Sequence, residues 1–282
     1  MLLAFLFSTF GLIVGSFLNV LIIRHGARSL GGRSACMGCG AQLKWYDMIP
    51  VVSWVVLRGK CRRCHTHISI QYPIVEVTTA ILFAVIGYAI PLAAFPGILP
   101  LVAVYLAIAA LIIAIAAYDI RHTIIPDPWV WSFNALAFIS LFLFPLPATS
   151  YQLPALLAGP IAASPLFALW LFSRGAWMGL GDAKLALGIG WLLGPTLGIT
   201  AVFFAFVVGA IISVGILIPL PHLIRFFGIS SLEKPGGGFT MRSEIPFGPF
   251  LIFSCILIWL SLLYDIDPNY GFGHLLLLNF SL

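Results

Sequence analysis

Two aspartates stand where a hydrophobic chain has least room for charge: Asp119, in Tyr118-Asp119-Ile120-Arg121-His122, and Asp182, in Gly179-Leu180-Gly181-Asp182-Ala183-Lys184. The chain has only nine acidic residues among 282, and these two fall at the ends of long apolar segments. Carboxylates held at a membrane edge are costly, and a pair of them marks a site of chemistry. The chemistry open to such a pair is hydrolysis of a carbonyl compound. Two carboxylates share one proton, one activates water, and the other polarises the carbonyl, as in aspartic proteases.

Each neighbouring residue also has a plainer reading. Asp182 after Gly181 could serve as a helix N-cap, whereas Asp119 at a helix C-terminus would meet the negative end of the helix dipole and so lacks an easy structural role. Asp127, between Pro126 and Pro128, is explained as an N-cap with proline at the first helical position. Gly179 and Gly181 leave room for an extended peptide backbone near Asp182, although glycine is common in helix-entry loops anyway. Lys184 is close enough in sequence to favour the ionised form of Asp182. Glu76, three residues into a helix opened by Pro73, and Glu244, in Glu244-Ile245-Pro246-Phe247-Gly248-Pro249, are further acidic candidates that equally suit first-turn positions.

The elements that must position these groups are membrane helices. The composition is 61% hydrophobic and 8% charged, with a mean hydropathy of +1.11, where a soluble domain is about a quarter charged. The 14 Lys and Arg fall in four groups, residues 24–63, Arg121, 174–184 and 225–242. Each gap between groups lacks positive charge, is long enough for a helical hairpin, and has proline or glycine near its middle. One span before Arg24, three hairpins, and one span after Pro249 give an all-α, polytopic membrane protein of about eight transmembrane helices, with every Lys and Arg on the cytoplasmic side. The helices are expected at roughly 2–23, 72–90, 98–118, 128–145, 154–172, 182–194, 197–221 and 249–264. Residues 1–23 are read as a retained first helix, because they lack the basic start and clear cleavage site of a secretory signal. Residues 24–71 form a cytoplasmic insert, and residues 72–282 the membrane core. The net charge of +5 follows from the cytoplasmic loops and the few acids, so no nucleic-acid partner is expected.

The insert carries Cys36-x-x-Cys39 and Cys61-x-x-Cys64. Each C-x-x-C turn can present two thiolates to one ion, and two such turns close a tetrahedral, four-sulfur structural zinc site, so the insert reads as a small zinc-ribbon-like module. Disulfides or free thiols are the competing readings, and a cytoplasmic location opposes stable disulfides. His65 and His67 read as solvated loop residues, and Cys255 as a core residue of the last helix.

These motifs together resemble the type IV prepilin peptidases, also called leader peptidases, of type IV pilus and type II secretion systems. The resemblance covers nearly the whole chain. It rests on Gly15-Ser16-Phe17-Leu18-Asn19-Val20 with Arg24, both cysteine pairs, Leu57-Arg58-Gly59-Lys60-Cys61-Arg62, Ser69 to Glu76, Asp119 to Asp127, Gly179 to Lys184, and Pro246-Phe247-Gly248-Pro249. It implies a membrane aspartic endopeptidase in the bacterial inner membrane, with Asp119 and Asp182 as the catalytic pair. Its substrates would be prepilins or pseudopilins, cut after a glycine on the cytoplasmic side within the surrounding membrane lipid. It implies a second activity as well, N-methylation of the new N-terminal residue with S-adenosylmethionine as methyl donor. The cysteine insert accompanies that activity, and Gly59 is the position associated with it and with the cofactor. One departure stands out: the first pair reads Cys-Met-Gly-Cys, where relatives often have proline after the first cysteine.

Two other readings fit parts of the pattern. A presenilin-like intramembrane aspartic protease would share Tyr118-Asp119 and a Gly-x-Gly-Asp motif, but the cysteine insert and the late Pro-Phe-Gly-Pro favour the prepilin family. A proton-coupled secondary transporter would use membrane carboxylates as relays and would show an internal repeat or broken helices near mid-membrane. No convincing repeat is present, and both aspartates fall at the edge.

Overall fold

The computed structural model describes residues 2–26, 31–89, 98–143, 152–217 and 246–264. Among them the chain forms helices α1 (Leu2–Arg24), α2 (Val52–Val56), α3 (Gln71–Ala89), α4 (Leu99–His122), α5 (Asp127–Leu143), α6 (Gln152–Ser173), α7 (Leu180–Leu193), α8 (Pro195–Ile212, continued by a π turn at Ser213–Leu217) and α9 (Gly248–Tyr264). No strand occurs among the described residues, only isolated antiparallel bridges at Ala35–Gln42 and Lys60–His67. Apart from the short α2, each helix overlaps one expected from the sequence. Among the described residues five helices are long and apolar enough to cross a membrane, α1, α3, α4, α6 and α8, and α9 is a shorter apolar helix. Phe5, Phe17, Phe172 and Phe203, on these spanning-length helices, keep more than half of their surface exposed, as lipid-facing side chains do. This is a membrane protein.

The chain divides into two compact units. The first holds α1 to α3, the cysteine insert and α4 up to Tyr118; the second begins at Asp119 and holds α5 up to Leu141 and α6 to α9. In the first unit α1 and α3 lie backbone to backbone. A Cβ on Gly11 would come 2.7 Å from Ala80 Cα, and one on Gly15 2.7 Å from Glu76 Cα, so the two glycines set this approach.

In the second unit α6 contains Pro160 and Pro165, which remove two helix donors. The carbonyls they strand are satisfied by side chains: the Trp191 indole N–H donates to Leu156 O at 3.0 Å, and the Ser164 hydroxyl to Ile161 O at 2.8 Å. A membrane interior offers no water for this task, so one donor from α7 and one from α6 itself take its place.

Two helix ends differ from expectation, and both differences concern the aspartates. α4 runs on to His122, one turn beyond the expected end, because Arg121 and His122 complement its C-terminal dipole and the Thr123 N–H closes on Asp119 O at 2.7 Å. α7 starts two residues earlier than expected, with Gly179 as its N-cap in extended conformation and no side-chain cap. Asp182 therefore sits at the third helical position and is not the cap.

Candidate active site

Asp119 occupies the last turn of α4 and is 4% exposed; Asp182 occupies the first turn of α7 and is half-buried. Both belong to the second unit, and their charges act on each other. The third participant is Gly248, whose backbone N–H donates to the Asp119 carboxylate. Gly248 is the first residue of α9, so this amide has no helical partner of its own and points the positive end of the helix dipole at the acid. A Cβ on Gly248 would lie 2.5 Å from Asp119 Oδ2, which leaves glycine as the residue that fits. Ile125 packs between, 3.3 Å from where that Cβ would be and 3.1 Å from the corresponding point on Gly181. Gly179 lies beside the Asp182 carboxylate, where a Cβ would make ordinary contact at 3.7 Å. From the sequence, Gly248 reads only as part of Pro-Phe-Gly-Pro; its contact with a residue far back in the chain has no local signature.

The cysteine insert, in the first unit, brings Cys36, Cys39, Cys61 and Cys64 together so that their sulfurs all lie within 4.8 Å of one another. Cys36 Sγ and Cys64 Sγ are 3.7 Å apart, close to the edge of about 3.8 Å that Zn–S bonds of ~2.3 Å give a tetrahedron, and far from a disulfide bond. The two turns repeat one geometry. In each, the amide two residues after the first cysteine donates to its sulfur, Gly38 to Cys36 and Arg63 to Cys61, both at 3.4 Å. The residue four places on, Gly40 or His65, takes positive φ.

The amides of Cys39 and Gly38 hold the Cys36 thiol below its usual range, and the Thr66 hydroxyl at 3.2 Å helps bring Cys64 down to about 6. Against the lowering pull of the Ala41 amide, Cys39 goes the other way, to about 11, because the neighbouring Cys64 and Cys36 thiols compete with it for charge. A divalent cation relieves this competition for charge, so the donor set fits structural zinc. Met37 is exposed, so methionine in place of proline leaves the donors in register. His65 and His67 are exposed, and Cys255 is fully buried in α9.

Residues 9–90 match the family model described as the bacterial peptidase A24 N-terminal domain, and residues 105–214 match that of the type IV leader peptidase family. A prepilin leader peptidase/N-methyltransferase of Vibrio cholerae serotype O1 is 30% identical over 268 residues, covering 91% of this chain and 96% of the relative. The chain belongs to the type IV leader peptidase family. A Bacillus subtilis relative of the same name is 29% identical, covering 89% of this chain and 91% of its own, and one from Myxococcus xanthus is 34% identical over 74% and 61%. No solved structure matches the chain significantly. Within this leader peptidase the first matched segment ends just past α3 and the second begins inside α4, so the cysteines lie in the first and both aspartates in the second.

Other expected residues find different partners. Lys184 does not serve Asp182. Two positions apart on a helix they point to nearly opposite sides, and the Lys184 ammonium instead meets Asp127 Oδ1 at 2.6 Å. Asp127 is accordingly an ion-pair residue within the first turn of α5; the carbonyl that opens this helix is that of Pro126, which accepts from Val130 N–H at 3.1 Å. The pair ties the entry of α5 to the first turn of α7, and Asn134 Nδ2 adds a bond to Lys184 O at 3.1 Å. The Asp127 side chain is 64% exposed, so the pair contributes no more than about 1 kcal/mol to stability. Its effect is on placement. Asp127→Lys and Lys184→Asp should each slow cleavage several-fold, and the double exchange should restore most of the rate in a double-mutant cycle. Additive losses would show that the two residues act separately.

Glu76 lies in the first unit, beyond the first turn of α3, 5% exposed and committed to the amide of Val51 at 2.7 Å. It is therefore not a solvated first-turn charge. Glu244 falls outside the described residues. Gly59 has φ +66° and lies under the Trp54 ring, where a Cβ would come within 2.9 Å of the indole.

Proposed function

We propose that this leader peptidase removes the leader peptide from type IV prepilins or pseudopilins by aspartic catalysis and then N-methylates the new N-terminal residue. The observation that carries the first activity is the juxtaposition of Asp119 and Asp182 with the Gly248 amide. With that amide donating to it, Asp119 is the member that carries the charge and takes a proton from the attacking water. Asp182 holds the shared proton and donates it toward the scissile carbonyl. As the tetrahedral diol collapses, Asp119 gives the proton it gained to the leaving amine and Asp182 takes one back from a diol hydroxyl, which leaves the carboxylic acid product and restores the pair. Gly179 beside Asp182 leaves an open edge for the extended substrate backbone.

The second activity is supported by the names of the relatives and by the intact four-thiolate insert, residues 24–71. Cys36, Cys39, Cys61 and Cys64 would hold a structural zinc ion that folds this segment. S-adenosylmethionine would supply an activated methyl group for transfer to the amine that cleavage exposes. The grouping of Lys and Arg supports placement in the bacterial inner membrane with both reactions on the cytoplasmic face, where the substrate meets enzyme and lipid together.

The test is to incubate purified full-length protein in detergent with a prepilin, with and without S-adenosylmethionine, and to weigh the product. A pilin shortened by its leader is expected in both samples, and one added methyl group only with the donor. Uncut prepilin would overturn the peptidase reading. A cut, unmethylated product in both samples would overturn the second activity alone.

A further inference from the structure

The most strained backbone of the insert sits one residue before α2. Val51 has φ 61° and ψ −51°, and the Val52 N–H closes on Pro50 O at 2.6 Å, which makes Val51 the centre of a positive-φ γ-turn. That turn is rare for any residue and is most unfavourable for a β-branched one. Such a conformation persists only where its surroundings enforce it, and it tends to mark a functional site. Here the enforcing group is Glu76, whose Oε2 accepts the Val51 N–H at 2.7 Å, with the Ser16 hydroxyl as a second donor. A carboxylate 5% exposed on a membrane-spanning helix is itself unusual.

From Val51 the contacts run without a break to the cysteines. α2 carries Trp54, whose indole N–H donates to Ile68 O at 3.2 Å. Gly59 N–H returns to Trp54 O at 2.9 Å, and Ile68 N–H pairs with Gly59 O at 2.8 Å. The next residues, Lys60 and His67, form the antiparallel bridge beside Cys61. Gly59 is required twice over, by its φ of +66° and by the ring that covers it.

We propose that Glu76 is a positioning residue for N-methylation: its carboxylate pins the Val51 turn and so fixes the cysteine insert to the α1–α3 pair, while Gly59 acts in the same chain of contacts as the seat of Trp54. This rests on the reading that the protein methylates its product. Glu76 works through the insert and performs no proton transfer, so an acceptor oxygen is what the position needs.

Glu76→Gln and Glu76→Leu separate the two roles, because glutamine keeps an acceptor but cannot act as a base. Full-length variants in detergent are compared for methylated product, for zinc content, and for trypsin cleavage at Arg58, Lys60, Arg62 and Arg63, with leader cleavage as the fold control. Glu76→Gln should stay within about threefold of wild type in methylation and protection. Glu76→Leu should lose methylation and protection together by roughly tenfold, the size expected when a hydrogen bond to a charged group is removed. Gly59→Ala should reproduce the Leu phenotype by displacing Trp54. Loss of methylation in Glu76→Gln with the insert still protected would show that the carboxylate acts chemically and would overturn the proposal. Wild-type methylation and protection in Glu76→Leu, or loss of methylation in Gly59→Ala with protection unchanged, would overturn it too. If wild type itself transfers no methyl, the reading of the second activity fails, and the protection data still decide whether Glu76 holds the insert.

Discussion

Asp119→Asn and Asp182→Asn should each lower leader cleavage by about 10²–10⁴-fold, the range associated with loss of a positioned acid or base, while the protein still accumulates in the membrane. Asparagine matches aspartate in size and keeps an oxygen that can accept the Gly248 amide, so the junction of α4 and α9 should survive. An amide cannot take a proton from water or share one with a neighbouring carboxylate, so the chemistry should not survive. Burial points the same way: Asp119 is 4% exposed, and replacing a buried acid by a neutral group removes a desolvation cost instead of adding one. The variants should therefore unfold at or above the wild-type temperature. Cleavage by either purified variant near the wild-type rate would remove that residue from the mechanism. A loss of cleavage accompanied by loss of the folded protein would mean that the acid serves structure.

The sequence made the helices legible because apolar runs between clusters of Lys and Arg have few other solutions in a membrane. The cysteine cluster was legible for a similar reason, since two C-x-x-C turns encode a local geometry that four sulfurs then share. Contacts between residues far apart were hidden. Lys184 finds Asp127 and Asp119 finds Gly248, and no pattern within one or two helical turns registers either pairing. The ends of α4 and α7 were misplaced for a related reason. Polar residues such as Asp119 and Arg121 read as the start of a loop, yet α4 continues through them to His122, and α7 begins at Leu180 with glycine as its cap. Glu76 stood in the sequence only as a candidate acid or a first-turn charge, because its partner, the Val51 amide, lies in a strained turn that composition does not announce.

Replacing any one of Cys36, Cys39, Cys61 or Cys64 by serine should release the metal and loosen the insert, with methylation falling much further than leader cleavage. Four thiolates fill a tetrahedron and leave no position for water, so an ion held there can fold the segment but cannot generate a nucleophile. Structural zinc sites of this kind are worth about 10–16 kcal/mol of apparent binding free energy at neutral pH, and that energy is folding energy for a segment with little core of its own. Among these sulfurs only the Cys61 residue is buried, at 6% exposed, so the insert has few apolar contacts with which to replace the ion. Wild-type protein should contain about one zinc per chain, and each serine variant much less, with faster trypsin cleavage around Arg62. The aspartates lie in the other compact unit and use no metal in the proposed reaction, so cleavage by the serine variants should remain close to wild type. A metal-free preparation with two intact disulfides would show that these cysteines have been assigned wrongly. A chelator that stops cleavage at once while the protein stays folded would do the same, because peptide hydrolysis would then depend on the metal directly.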